Sequence, residues 1–122
     1  MKQKNINFSV YPIYFDAIEN GSKQTEFRDG ANPYWWKKLV DLSKYPGMEI
    51  DEIRDGVKRG RLELYPIEFE TCTFWTTRNG KRVSLVTEWR DTVTHKGHDQ
   101  FAIRLGDVLR DSNGNRPKPK YK

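Results

Sequence analysis

The chain has 122 residues, of which 32% are charged and one is cysteine, and it carries a formal net charge of +5. This length accommodates one domain with one hydrophobic core and excludes two independent domains. A single cysteine excludes an internal disulfide and suits a reducing compartment. No apolar run is long enough to span a membrane and the start lacks a signal-like segment, so we predict a soluble cytoplasmic protein with no membrane contact.

The positive charge is concentrated at the two ends of the chain. Residues 5–110 contain sixteen Lys or Arg and sixteen Asp or Glu, so the body of the chain is neutral. We predict that residues 1–110 form the single domain. The C-terminal excess of charge comes from Arg116, Lys118, Lys120 and Lys122. Because residues 111–122 have almost nothing to bury, we predict a basic disordered tail that either solubilises the protein or attracts phosphates.

The first elements predicted are a strand and a helix. Residues 5–11 alternate apolar and polar side chains, as in a strand with one buried face. Residues 11–20 place apolar side chains at helical spacing, and Pro12 suits the first helical position because its missing N–H has no intrahelical partner there. Gly21 supplies the left-handed residue that ends such a helix.

A short second strand is predicted over residues 24–28. Alternation places Glu26 and Arg28 on one face, which we expect to look toward solvent or a cleft, and Phe27 on the other face, directed inward. Lys23 would lie opposite Glu26 by strict alternation. It reaches the same cleft only if it belongs to the turn that follows the helix.

Residues 34–60 predict an inserted helical segment between the second and third strands. Trp35, Leu39 and Leu42 fall on one face of a helix, so we expect Trp35 to be buried. Trp36 then lies on another face. It is the aromatic side chain that we expect to stack on a ligand.

The C-terminal half predicts a β-hairpin and a final strand. Residues 68–77 and 82–89 are rich in β-branched and aromatic side chains, and the dipeptide Asn79-Gly80 between them favours a type I′ turn. Residues 100–104 predict the last strand. The predicted fold class is therefore α+β, with about five strands in one sheet and few, peripheral helices.

One motif resembles a known family. The segment Gly21-Ser22-Lys23-Gln24-Thr25-Glu26-Phe27-Arg28, preceded by an aromatic-x-x-Ile helix, resembles the opening motif of the ASCH domain, a member of the PUA-like superfamily. Residues 101–106 are more weakly similar to the closing strand of that family. The resemblance implies a small β-barrel flanked by helices, with a cleft lined by Lys23, Glu26 and Arg28 that binds RNA or a modified nucleoside. Family members usually continue after the arginine into a Gly-Asp turn and a barrel strand, whereas this chain continues into the helical insert.

The residue types in the motif suit nucleoside recognition. Glu26 could accept a hydrogen bond from an exocyclic amino group, and Lys23 and Arg28 could donate to carbonyl or phosphate oxygens. The alternative interpretation is that Glu26 and Arg28 form an exposed ion pair on one strand face, which contributes little stability.

Two alternative functions stay open. The family is associated with hydrolysis of acylated nucleosides and with RNA cleavage, so the resemblance also implies a hydrolase in which Lys23 acts as base beside Glu26. In the amide-hydrolysing branch a threonine occupies the position of Glu26, and Thr25 of this chain should point to the opposite face. The second alternative is a protein-interaction module that uses residues 34–60 as its recognition surface.

Metal binding and cysteine chemistry have weak support in the sequence. His95, His98 and Asp99 form the only cluster that resembles metal ligands, but no further ligand is identifiable and Lys96 would repel a cation. We therefore predict no metal and no cofactor. Cys72 lies in an alternating strand and is expected to be a small core residue.

Overall fold

The computed structural model describes residues 2–95 and 99–117. Within these ranges the chain forms five strands: β1 Lys2–Ser9, β2 Thr25–Asp29, β3 Glu68–Arg78, β4 Lys81–His95 and β5 Gln100–Arg110. It also forms three α-helices, α1 Pro12–Glu19, α2 Pro33–Leu39 and α3 Ile50–Lys58, and one 3₁₀ turn at Leu42–Lys44. The α+β class is therefore present, and two of the helices and the 3₁₀ turn lie between β2 and β3.

The strands form one curled half-barrel sheet in the order β1-β3-β4-β5-β2. β1 pairs with β3 in parallel, and the other three pairings are antiparallel. Although β1 and β2 are the two edge strands, Nη2 of Arg28 on β2 donates a hydrogen bond to the carbonyl oxygen of Ser9 on β1, at 2.9 Å. Curling of the sheet thus brings one end of each edge strand together.

The hairpin predicted around Asn79-Gly80 is confirmed. Asn79 has φ 52° and Gly80 has φ 76°, the positive pair that a type I′ turn requires. Strands β4 and β5 each run six residues beyond the predicted ends, to His95 and Arg110. Register irregularities between residues 86 and 91 interrupt the alternation along β4, which hides this extension from a reading of the sequence.

The hydrophobic core lies between the sheet and the helices. Helix α1 contributes Phe15 and Ile18, and the helical insert contributes Trp36, Leu39 and Ile53. The strands contribute a row of fully buried side chains that includes Phe8, Cys72, Phe74, Leu85, Phe101 and Ile103. The prediction that Cys72 is a core residue is confirmed, and the insert forms part of the core.

The apolar side chain of β2, Phe27, lies on the face opposite to the one predicted. Glu26 pairs with Ile103 and Arg28 with Phe101 on β5, and both partners point into the core. Opposite residues of paired strands share a face, so Glu26 is only 7% exposed while Phe27 is 41% exposed. The prediction that Phe27 points inward is wrong, because the register with β5 decides which face of this short edge strand is buried.

The described part of the C-terminal segment starts with a turn. The carboxylate of Asp111 accepts hydrogen bonds from the backbone N–H groups of Asn113 and Asn115, and the N–H of Ser112 donates to Glu19 on α1. Arg116 is exposed. Three other residues of the predicted basic tail, Lys118, Lys120 and Lys122, lie outside the described residues.

Among the described residues, no helix is long and apolar enough to cross a membrane.

Candidate functional site

The turn between α1 and β2 determines where Lys23 points. Gly21 adopts φ 85°, as predicted, and the Oδ1 of Asn20 accepts a hydrogen bond from the N–H of Ser22 at 2.8 Å. The N–H of Lys23 then donates to the carbonyl oxygen of Ala17 at 3.0 Å, so Lys23 is still bound to the end of the helix and precedes the strand. Strand alternation therefore does not apply to it.

Lys23, Glu26 and Arg28 meet in one charged cluster. Nζ of Lys23 lies 3.4 Å from Oε1 of Glu26, and Nη2 of Arg28 lies 2.6 Å from Oε2. The side chains of Lys23, Glu26 and Arg28 are 21%, 9% and 18% exposed in that order. We call this group the charged cluster. It carries one excess positive charge, and its two cationic members keep the largest accessible surface.

The buried carboxylate of Glu26 is stabilised by the other two members of the cluster. A carboxylate removed from water is destabilised unless charge and hydrogen bonds compensate for the lost hydration. Each oxygen of Glu26 faces one cation, which provides that compensation. The same contacts hold the ammonium of Lys23 and the guanidinium of Arg28 at fixed positions on either side of one carboxylate.

Arg28 lies beside two aromatic rings, Phe8 and Trp35, that stack on each other. Its Cζ is 5.0 Å from the ring centre of Phe8 and 4.9 Å from that of Trp35, distances typical of cation–π contact. Within the described residues its Nε is buried and has no hydrogen-bond partner. An acceptor oxygen that reached Nε would supply the missing bond.

The structure exchanges the roles predicted for the two tryptophans of α2. Trp36 is 1% exposed, donates from Nε1 to the carbonyl oxygen of Gly30 and packs edge-on against Phe101 at 4.9 Å, so it has no free ring face for a ligand. Trp35 is only partly buried and contacts the cluster through Arg28. The expectation of a stacking role for Trp36 is therefore wrong.

The reason for the exchange is the length of α2. Its first residue is Pro33, capped by the side chain of Asn32, and it ends at Leu39. Leu42 belongs to the following 3₁₀ turn and does not extend the helical face. Burial therefore follows Trp36 and Leu39, three residues apart, instead of the longer spacing that begins at Trp35.

Thr25 lies away from the charged cluster, as predicted. It pairs with Arg104 on β5, which makes a two-bond ion pair with Asp91 at 2.6 Å. Hydrogen bonding to Asp91 raises the pKa of Arg104 above its ordinary value. The threonine hydroxyl is thus on the face opposite to Glu26.

A cavity of about 450 Å³ adjoins the cluster without containing it. It is bounded by the C-terminal end of α1, by β4 and β5 and by the segment that follows β5. Its lining includes Lys23, Glu88, Asp107 and Arg116. Neither Glu26 nor Arg28 lines it, so the cavity and the charged cluster are neighbouring features that share Lys23.

The described residues contain no group of three side chains placed to hold a metal ion. His95 contacts the ring of Phe27 edge-on at 5.8 Å, and Asp99 pairs with Lys58 at 3.2 Å. His98 lies outside the described residues.

No family model, curated protein or solved structure matches this chain. The resemblance to the ASCH family consequently depends on the motif residues alone.

Sequence reasoning missed several aromatic side chains at the cluster. Lys23 lies 5.4 Å from the ring centre of Tyr14 and 5.6 Å from that of Phe27, and Trp35 stacks on Phe8 at 5.7 Å. One local signal bears on them: the Asn-Pro dipeptide indicates where α2 begins. The outward position of Phe27 has no such signal, because it depends on the register of β2 with β5.

Proposed function

We propose that this chain is an ASCH-like module that binds RNA or a modified nucleoside at the charged cluster. The observation that carries the proposal is the convergence of Lys23 and Arg28 on the two oxygens of Glu26. Residues that alternation alone would place on opposite faces are brought together by the turn after Gly21. Such a set offers charge-assisted donors for carbonyl or phosphate oxygens beside a carboxylate acceptor.

The electrostatics of the chain support a local site. Residues 5–110 are neutral overall, so an anionic ligand gains little from the body as a whole. Lys23 and Arg28 form a small positive region in which one carboxylate orients two donors. Aromatic rings at Tyr14, Phe27 and Trp35 lie beside these cations and offer surfaces on which a base can stack.

The proposal is tested by binding assays at low salt. A panel of nucleosides, including N4-acetylcytidine, and a labelled single-stranded RNA are titrated with the full chain and with Glu26→Gln and Arg28→Lys. Both substitutions preserve side-chain size while removing either the charge of the acceptor or the planar fork of the donor. We expect each to weaken binding by about tenfold, the effect of removing one charge-assisted hydrogen bond.

The matched control is Arg59→Lys. Arg59 is exposed at the end of α3 and is not a member of the charged cluster, so the same side-chain exchange there should leave affinity unchanged. Thermal unfolding of every variant separates loss of binding from loss of fold. Wild-type affinity for both cluster variants, or no binding by the wild-type chain, would contradict the proposal.

The same samples test the hydrolase alternative. Thr25, the hydroxyl nearest to Glu26 in sequence, is on the opposite face of β2, so a nucleophilic role comparable with that in the amide-hydrolysing branch has no support from the geometry. Release of acetate from N4-acetylcytidine, or cleavage of the labelled RNA with and without divalent metal, would instead assign the cluster to catalysis.

A further inference from the structure

Exposed aromatic side chains concentrate around the charged cluster. Among the described residues, five aromatic side chains are between 40% and 75% exposed, and four of them lie near the cluster: Tyr11, Tyr14, Phe27 and Tyr34. The fifth, Tyr65, packs against Tyr45 elsewhere in the fold. Aromatic rings are costly to leave in water, so their grouping at one place indicates a surface that is covered in use.

The first ring surface surrounds Lys23. The ammonium lies 5.4 Å from the ring centre of Tyr14 and 5.6 Å from that of Phe27, and Tyr11 contacts Tyr14 at 6.2 Å. The Lys23 ammonium also faces Oε1 of Glu26. One cation thus stands beside two partly exposed ring faces.

The second ring surface surrounds Arg28. Its guanidinium lies 4.9 Å from the ring centre of Trp35, and Tyr34 meets Trp35 edge-on at 4.9 Å. Lys38 lies 5.7 Å from the ring centre of Tyr34, which is itself exposed. Arg28 faces the other oxygen of Glu26, so the cations of the two ring surfaces each contact one oxygen of the same carboxylate.

This arrangement repeats one recognition unit twice: an aromatic face with a cation beside it. A nucleotide in a single strand offers the complementary pair, a flat base and a phosphate, and stacking on aromatic rings is indifferent to which base is present. A hydrophobic peptide fits less well. Ile13 is the one aliphatic side chain among the large exposed hydrophobic residues of the described chain, and cations occupy the middle of the surface.

We propose that the charged cluster and its two ring surfaces bind a single-stranded nucleic acid segment of at least two consecutive nucleotides, one base on each surface, with phosphate at Lys23 or Arg28. The inference rests on the proposed function and specifies its ligand. It assigns Tyr14 and Phe27 to one base and Trp35 and Tyr34 to the next. A lone nucleoside would use only one of the two surfaces.

The experiment is a length series at low salt. Uridine, uridine monophosphate, the dinucleotide UpU and a tetrauridylate are titrated with the full chain, and the corresponding thymidine series distinguishes RNA from DNA. Stacking of a second base should raise affinity about tenfold between the mononucleotide and the dinucleotide. Tyr14→Ala or Tyr34→Ala should abolish this gain, and Tyr14→Phe or Tyr34→Phe should retain it because the ring remains.

Tyr65→Ala is the matched control, since it removes an exposed tyrosine outside the two surfaces and should leave the length dependence intact. Equal affinity for the mononucleotide and the dinucleotide would overturn this inference while leaving nucleoside binding by the cluster in place. Failure of the wild-type chain to bind any member of the series, together with failure to bind N4-acetylcytidine and the rest of the nucleoside panel, would instead reject the proposed function itself. Binding to anionic vesicles or to a protein that depends on Tyr14 and Tyr34, with no length dependence for oligonucleotides, would assign the ring surfaces to that partner and overturn the inference.

Discussion

Glu26 illustrates how the surroundings of one residue determine its role. On a fully exposed strand, its ion pairs with Lys23 and Arg28 would contribute little, because water and salt screen surface ion pairs. Here the carboxylate is almost buried, so each cation compensates for lost hydration and is itself held in position. The charged cluster is therefore a preorganised set of donors.

Cys72 is the residue whose chemistry the fold suppresses most. Complete burial raises the pKa of its thiol to about 12, against an ordinary value near 8.5, so the reactive thiolate is scarce at neutral pH. We predict that Ellman's reagent at pH 8 leaves the native chain unmodified and releases one equivalent of thionitrobenzoate in guanidinium. Rapid reaction of the folded chain would contradict the burial.

The same shift has a consequence for stability. Below about pH 8.5 the thiol is protonated in both the folded and the unfolded chain, so the full contribution of Cys72 to the free energy of unfolding is present there. As pH rises toward 12, the unfolded chain ionises first and the contribution of Cys72 to the free energy of unfolding is lost.

At the scale of elements, the hairpin formed by β3 and β4 is the part of the fold that depends most directly on local sequence. Gly80 has φ 76°, and a Cβ added to it would meet no atom within 4 Å. Any cost of a side chain there is therefore backbone strain and not a collision.

We predict that Gly80→Ala lowers the free energy of unfolding by about 1 kcal/mol, because alanine is strained at positive φ. Gly80→Asn is the matched comparison, since asparagine tolerates the left-handed region and should cost less. Urea unfolding of the two variants and the wild-type chain measures the difference. Equal stability of the alanine and asparagine variants would argue against the type I′ geometry of this turn.

For the molecule as a whole, the neutral body and the basic ends predict two contributions to the binding of RNA: local recognition at the charged cluster and long-range attraction of phosphates by the ends. Under the proposed function, a nucleoside without phosphate contacts the charged cluster and its rings. An RNA strand can also meet Arg116 and the lysines at positions 118, 120 and 122. Long-range attraction and local recognition should therefore respond differently to salt.

We predict that joint substitution of Lys118, Lys120 and Lys122 by Gln weakens RNA binding. The magnitude of the salt slope should fall by up to about 2, because each phosphate that a tail lysine neutralises adds about 0.7 to that slope. Nucleoside binding should be unchanged. Anisotropy titrations at several salt concentrations provide the measurement.

The control variant loses the same positive charge from residues 5–110 instead of from the tail. In it the exposed residues Lys44, Arg59 and Lys81 are replaced by Gln. An equal decrease of RNA affinity in both triple variants would mean that the overall charge, and not the tail, provides the attraction.

The sequence by itself determined the features that depend on neighbours along the chain. Pro12 and Gly21 mark the ends of α1, and Asn79-Gly80 marks the hairpin, because backbone dihedral preferences act locally. The motif from Gly21 to Arg28 was visible for the same reason. A buried position for Cys72 followed from alternation along one strand.

Only the tertiary structure decided which faces are buried and which side chains meet. Phe27 points outward because the register with β5 gives the core face to Glu26 and Arg28, and Trp36 is buried because α2 ends at Leu39. The parallel pairing of β1 with β3 joins segments that are far apart in the sequence. Lys23 approaches Glu26 although strand alternation would place the two side chains on opposite faces. Burial is a property of the whole packed chain, so local periodicity could indicate the motif but not its surroundings.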